Sequence, residues 1–79
     1  MKNINKEKEI NKIISSILNE PLVRIGPRKK ARDFDNWDSL NNIKIYLKIK
    51  DIYKNLTISE YTKCKKIEDI YKVILRKNK

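Results

Sequence analysis

Seventy-nine residues make one small domain with room for a single core. With no histidine, one cysteine and one glycine, the chain cannot assemble a Ser-His or Cys-His catalytic pair, an internal disulfide, the usual zinc ligand sets or a glycine-rich phosphate loop. A net charge of +10 with pI ≈ 9.8 points by itself to nucleic acid or an anionic membrane, but Lys, Ile and Asn, all read by A/T-rich codons, dominate the composition, and the aromatics do not interleave with the basic residues as a stacking platform requires.

Taken in chain order, Ile10, Ile13, Ile14, Ile17 and Leu18 fall at i, i+3, i+4, i+7 and i+8, which predicts an amphipathic helix over 4–18. Asn5 is its expected cap, Glu7 and Glu9 suit its first turns, and Pro21 stops it. The Lys and Asn of its other side read as a solvated face. The longest early apolar stretch, Ile13 to Leu18, is interrupted by two serines, so no signal peptide or membrane insertion is expected and the expected location is cytoplasmic.

Residues 19–37 contain both prolines and the only glycine, so a long connection without regular structure is expected. Leu22, Val23, Ile25, Phe34 and Trp37 are available to pack it down. Within it, Arg28-Lys29-Lys30-Ala31-Arg32 is a basic run followed by Asp33 and Asp35. Two readings of the run stand: a solvated loop tip neutralised locally, or a docking patch for an acidic partner or a phosphate.

Within Asp35 to Ile43 a polar loop stops and a long apolar-periodic run begins, predicting a helix over 39–54. On a wheel of 100° per residue, Ile45, Ile49, Ile52, Tyr53 and Leu56 share one side, with Tyr46 at its edge. Leu40, Ile43 and Leu47 fall nearly opposite, among Lys44, Lys48, Lys50, Asp51 and Lys54. A second apolar strip on the polar side of a helix usually meets something besides the chain's own core. Asp38 or Ser39 serves as the N-cap in one reading; in the other, Ser39 stands where the positive end of the helix dipole favours an attached anion. Trp37, just before this start, is expected to close the core beneath the loop as a hydrophobic staple does.

Thr57-Ile58-Ser59-Glu60 is a capping box that starts a short helix over 58–64. Cys64 is expected to face inward as a small apolar residue; the alternative is a reactive thiol, whose pKa Lys63, Lys65 and Lys66 would lower if it were exposed. Ile67, Ile70, Tyr71, Ile74 and Leu75 repeat the helical spacing over 67–77, with Glu68 and Asp69 at the start and Arg76, Lys77 and Lys79 at the end, charges that complement the dipole.

From Trp37-Asp38-Ser39-Leu40, through Ile43, Ile45, Ile49 and Tyr53, to the starts at Thr57 and Lys66, the chain resembles the acyl carrier protein family. The resemblance is close from Trp37 to Ile74 and loose before it. It implies an all-α four-helix carrier bundle, with three longer helices, a short third helix and a long first loop, formed by residues 1–79 as a single domain and acting as a monomer. It further implies a 4′-phosphopantetheine arm, derived from coenzyme A, on Ser39, with Asp38 supporting the transfer by helping the modifying transferase hold magnesium. The chain itself would not be an enzyme; it would carry an acyl or aminoacyl group as a thioester, in fatty-acid or specialised lipid biosynthesis. Its partners would be a phosphopantetheinyl transferase and enzymes that load and transfer the acyl group, docking on Leu40, Ile43, Lys44, Leu47 and Lys48. The sequence departs from the family in placing Lys44, Lys48, Lys50 and Lys54 against Asp51 alone, where a mainly acidic second helix is usual; a dedicated pathway with its own partners is therefore expected. A basic helical adaptor that kept the fold without the arm is the alternative, followed by a small nucleic-acid-binding protein.

Overall fold

The computed structural model describes residues 2–77, with side chains from residue 5. Four α-helices follow one another: α1 (Lys2–Leu18), α2 (Ser39–Ile52), α3 (Ile58–Thr62) and α4 (Ile67–Lys77). Among the described residues there is no strand, only an isolated antiparallel bridge between Lys30 and Lys66. The chain is all-α.

The apolar spacings do what they predict. Ile10, Ile14 and Leu18 of α1, Ile45 and Ile49 of α2, Leu56 of the next turn, and Ile67 and Ile74 of α4 are all fully buried. Each contributes roughly 1.5–3 kcal/mol of transfer free energy by leaving water. Cross-helix hydrogen bonds set the order of the bundle: the Tyr53 hydroxyl at the end of α2 meets Glu9 of α1, and the Tyr71 hydroxyl of α4 meets Asn11 of α1. Asn36, before α2, donates its Nδ2 to the Leu18 carbonyl at 3.0 Å, so α1 and α2 run antiparallel.

Helix ends account for most differences from the sequence expectation. Because α1 already begins at Lys2, Asn5 is an interior residue and not its cap, and Glu7 and Glu9 lie beyond the first turn. Its C-terminus closes at Asn19, whose φ is 57°. The Glu20 N–H donates to the Ser15 carbonyl at 3.1 Å, the six-to-one bond of a Schellman motif with asparagine in the left-handed position. Helix α2 ends at Ile52, two residues early; Lys50 Nζ donates to the Lys54 and Leu56 carbonyls at 3.2 and 2.8 Å, closing the turn that follows. Ile52, expected in the core, is 42% exposed. A wheel gives the angle of a side chain about the axis and not what stands opposite, and Ile52 is the last helical residue. The third helix also stops early, at Thr62. Its capping box is present in both directions: the Glu60 N–H donates to Thr57 Oγ1 and the Thr57 N–H to Glu60 Oε1. The fourth helix has the expected bounds; Lys79, invoked for its last turn, lies outside the described residues, as does the side chain of Ile4.

The first loop is more regular than expected. Two 3-10 turns, Leu22–Arg24 and Ala31–Asp33, interrupt it, since short runs can form i to i+3 bonds where proline forbids a longer helix. Ile25 and Phe34 enter the core, and Trp37 packs against it half-buried. Leu22 and Val23 do not; Val23 is 91% exposed. The loop is pinned to the start of α4 by main-chain bonds from the Ile67 N–H to Lys29 and from the Glu68 N–H to Pro27, each 2.9 Å. None of the described residues forms a helix long and apolar enough to cross a membrane.

Candidate functional site

Asp38 takes extended backbone angles and accepts the Asn41 N–H on its Oδ1 at 2.9 Å. Of the two possible caps it is therefore Asp38 that serves. Ser39 is left as the first helical residue, exposed to solvent, its hydroxyl without a hydrogen-bond partner among the described residues. Capping by the neighbour is what sets that hydroxyl free.

Trp37 occupies the position before the cap, and Asn42 the fourth helical position, the two places that a hydrophobic staple joins. Here the joint is polar. Trp37 Nε1 donates to Asn42 Oδ1 at 2.9 Å, and the Tyr61 hydroxyl of α3 donates to the same oxygen at 2.8 Å. Burial pushes the Tyr61 phenol well above its ordinary pKa, so it stays protonated and remains a donor at neutral pH. Phe34 lies beside Trp37 with ring centroids 6.0 Å apart, and Tyr46 beside Tyr61 at 5.3 Å. Asn41 Nδ2 adds a bond to the Asn36 carbonyl at 2.7 Å. The start of α2 is thus fixed to the loop, to α1 and to α3 by side-chain amides.

Beside Ser39 lies an open crevice of about 320 Å³. Trp37, Asp38, Ser39 and Asn42 form one wall, Tyr61 and Cys64 the α3 side, and Lys65, Lys66, Ile67 and Ile70 the approach to α4. Its lining mixes apolar carbon with polar atoms. Cys64 is half-buried, and its thiol lies 3.4 Å from the Glu60 carbonyl. Burial pushes that thiol up to about 11, with Asp69 and Glu60 adding to the rise, so the flanking lysines do not activate it. Among the described residues no group of three His, Cys, Asp or Glu side chains is placed to hold a metal ion.

Leu40, Ile43 and Leu47 are 62, 53 and 57% exposed, and Lys44 and Lys48 are exposed beside them. The strip begins one residue after Ser39. Ser39, Asp38 and the crevice thus come together at one end of the bundle, and the strip runs away from them along α2. Asn42 and Tyr61 were not singled out from the sequence; the signal was an asparagine at a staple position facing the only tryptophan. Searches for similarity to known protein families, curated proteins and solved structures gave no match to this chain.

Proposed function

We propose that the chain is a carrier domain, not an enzyme, that bears a 4′-phosphopantetheine arm on Ser39 and presents an acyl or aminoacyl group to partner enzymes. The observation that carries this reading is the exposed, unpartnered Ser39 hydroxyl at the first position of α2, with a crevice at its side. The residues fit such a group: Asp38 holds the helix start in place through Asn41, the positive end of the α2 dipole favours a phosphodiester at Ser39, and the half-buried Trp37 and Asn42, backed by the buried Tyr61, offer a wall along which an arm can lie. The arm's thiol would supply the thioester chemistry; the chain supplies the attachment oxygen, its orientation and a surface. Leu40, Ile43 and Leu47, with Lys44 and Lys48, are the docking face of this reading, and the four-helix arrangement with its short α3 suits a carrier bundle. Modifying, loading and transferring enzymes are its partners, in the cytoplasm. The exposed cations of the surface favour a second reading, a basic adaptor of the same fold without the arm.

Intact mass measurement after incubation with coenzyme A and a broad-specificity phosphopantetheinyl transferase decides between them. The mass should rise by one phosphopantetheine unit and Ser39→Ala should abolish the gain while leaving the melting temperature unchanged. A wild-type chain that stays unmodified with that enzyme and with the host's own transferase overturns the carrier reading. Modification at Ser15, Ser16 or Ser59 instead overturns the site.

A further inference from the structure

Two basic runs far apart in the sequence meet on one edge of the molecule. The bridge between Lys30 and Lys66 and the bonds from Ile67 to Lys29 and from Glu68 to Pro27 bring Arg28, Lys29, Lys30 and Arg32 alongside Lys65 and Lys66. All six are exposed or half-exposed. The acids close to them, Asp33, Glu68 and Asp69, offset only part of this charge. Asp33 accepts the Lys30 N–H at 2.8 Å, and Asp69 accepts the N–H groups of Lys65 and Lys66 at 2.9 and 3.0 Å, bonds that hold its carboxyl below the usual carboxylate range. The one ion pair that any of the six makes among the described residues is Lys66 with Glu68, at a loose 3.8 Å. Six cations against these few carboxylates leave the edge with a net positive charge, and like charges brought together repel one another.

We infer that this edge is a docking surface for an acidic protein face, a cluster of Asp and Glu side chains on a partner. The N–H groups of residues 65 to 68 at the start of α4 are already taken by Asp69, Lys29 and Pro27, so no inward nest of amides awaits a single phosphate. The donors that remain are long, mobile side chains spread along a fixed edge, which suits several dispersed carboxylates. Nucleic acid is disfavoured because Phe34 and all four tyrosines are buried, leaving the half-buried Trp37 and no row of exposed rings on which successive bases can stack. A membrane surface is disfavoured by the same inward aromatics, which interfacial segments turn outward. The inference rests on charge and placement and does not require an arm on Ser39.

The test titrates the 15N-labelled full chain with a synthetic peptide rich in Asp and Glu, with a DNA duplex, and with phosphatidylserine vesicles. The peptide should shift amides of 28–32 and 63–69 first, and the triple variant Lys29→Gln, Lys65→Gln, Lys66→Gln should weaken its binding roughly tenfold, as the loss of several exposed charge pairs does. Lys8→Gln with Lys12→Gln on α1 should change it little. Because the edge is held by main-chain bonds and the substitutions relieve like-charge repulsion, the triple variant should stay folded and melt no lower than wild type. Shifts scattered over all lysines, equal weakening by the α1 variant, or tighter binding to DNA or vesicles than to the peptide would each overturn the proposal.

Discussion

Two sides of α2 carry aliphatic residues of the same kind to opposite fates. Ile45 and Ile49 are wholly buried in the core that α2 shares with α1, whereas Leu40, Ile43 and Leu47 stand more than half exposed. The two ends of the bundle differ in a similar way: the interior around Ile10, Ile14 and Ile74 is closed and apolar, while the Ser39 end is open and tied by amide hydrogen bonds from Trp37 and Tyr61 to Asn42. Burial and exposure are thereby divided between different residues of one short helix, so the core can be altered without touching the outward strip.

The sharpest test of that division compares one residue from each side. Ile49→Ala should cost about 2–5 kcal/mol, as cavity-forming changes in a tight core do, and Leu47→Ser should stay within about 0.5 kcal/mol; urea titrations of both read the difference directly. Equal losses would mean that the outward strip is covered in solution. At the polar end, Asn42→Ala strips an acceptor from two donors at once and should cost about 1–3 kcal/mol, the range for an orphaned buried group. Trp37 fluorescence should shift to the red in that variant as the ring loses its tether; an unchanged spectrum and stability would make the amide link incidental.

The smallest effect is a matter of pH. The Lys77 ammonium, 3.0 Å away, together with the Thr57 N–H, lowers the Glu60 carboxyl from 4.5 to about 2. A carboxyl that is more acidic in the folded chain stabilises it fully above the unfolded value and loses that contribution as pH falls through the folded one. The melting temperature of Glu60→Gln should therefore lie below wild type at neutral pH, and the gap should close between about pH 4.5 and pH 2. A gap independent of pH would show that the charge at Glu60 is not what joins α3 to α4.

Much of this was legible because it is local. Period and caps are properties of neighbours, and the spacing of Ile10 to Leu18, the Thr57 box and the run from Ile67 to Leu75 placed α1, α3 and α4 within a turn of their observed ends. The exposed serine at the start of α2 and the apolar strip that follows it were legible for the same reason. What escaped was non-local. Nothing near Lys30 announces Lys66, and nothing near Asn42 announces Tyr61, because each partnership depends on how the bundle closes. Val23 and Ile52 were misjudged in the other direction: apolar character shows that a residue can be buried, and only the surrounding surfaces decide that it is.

The main-chain bonds between the first loop and α4 also bear on the order of assembly. They join the first half of the chain to its last helix, and contacts of such long range form only after the intervening chain has closed on itself. During synthesis Ser39 and the start of α2 leave the ribosome well before Lys65, Lys66, Ile67 and Ile70 do, so the nascent chain presents the serine without its crevice. Hydrogen exchange on the Ile67 and Glu68 amides would report when that wall arrives, since the crevice beside Ser39 exists only once α4 has docked on the first loop.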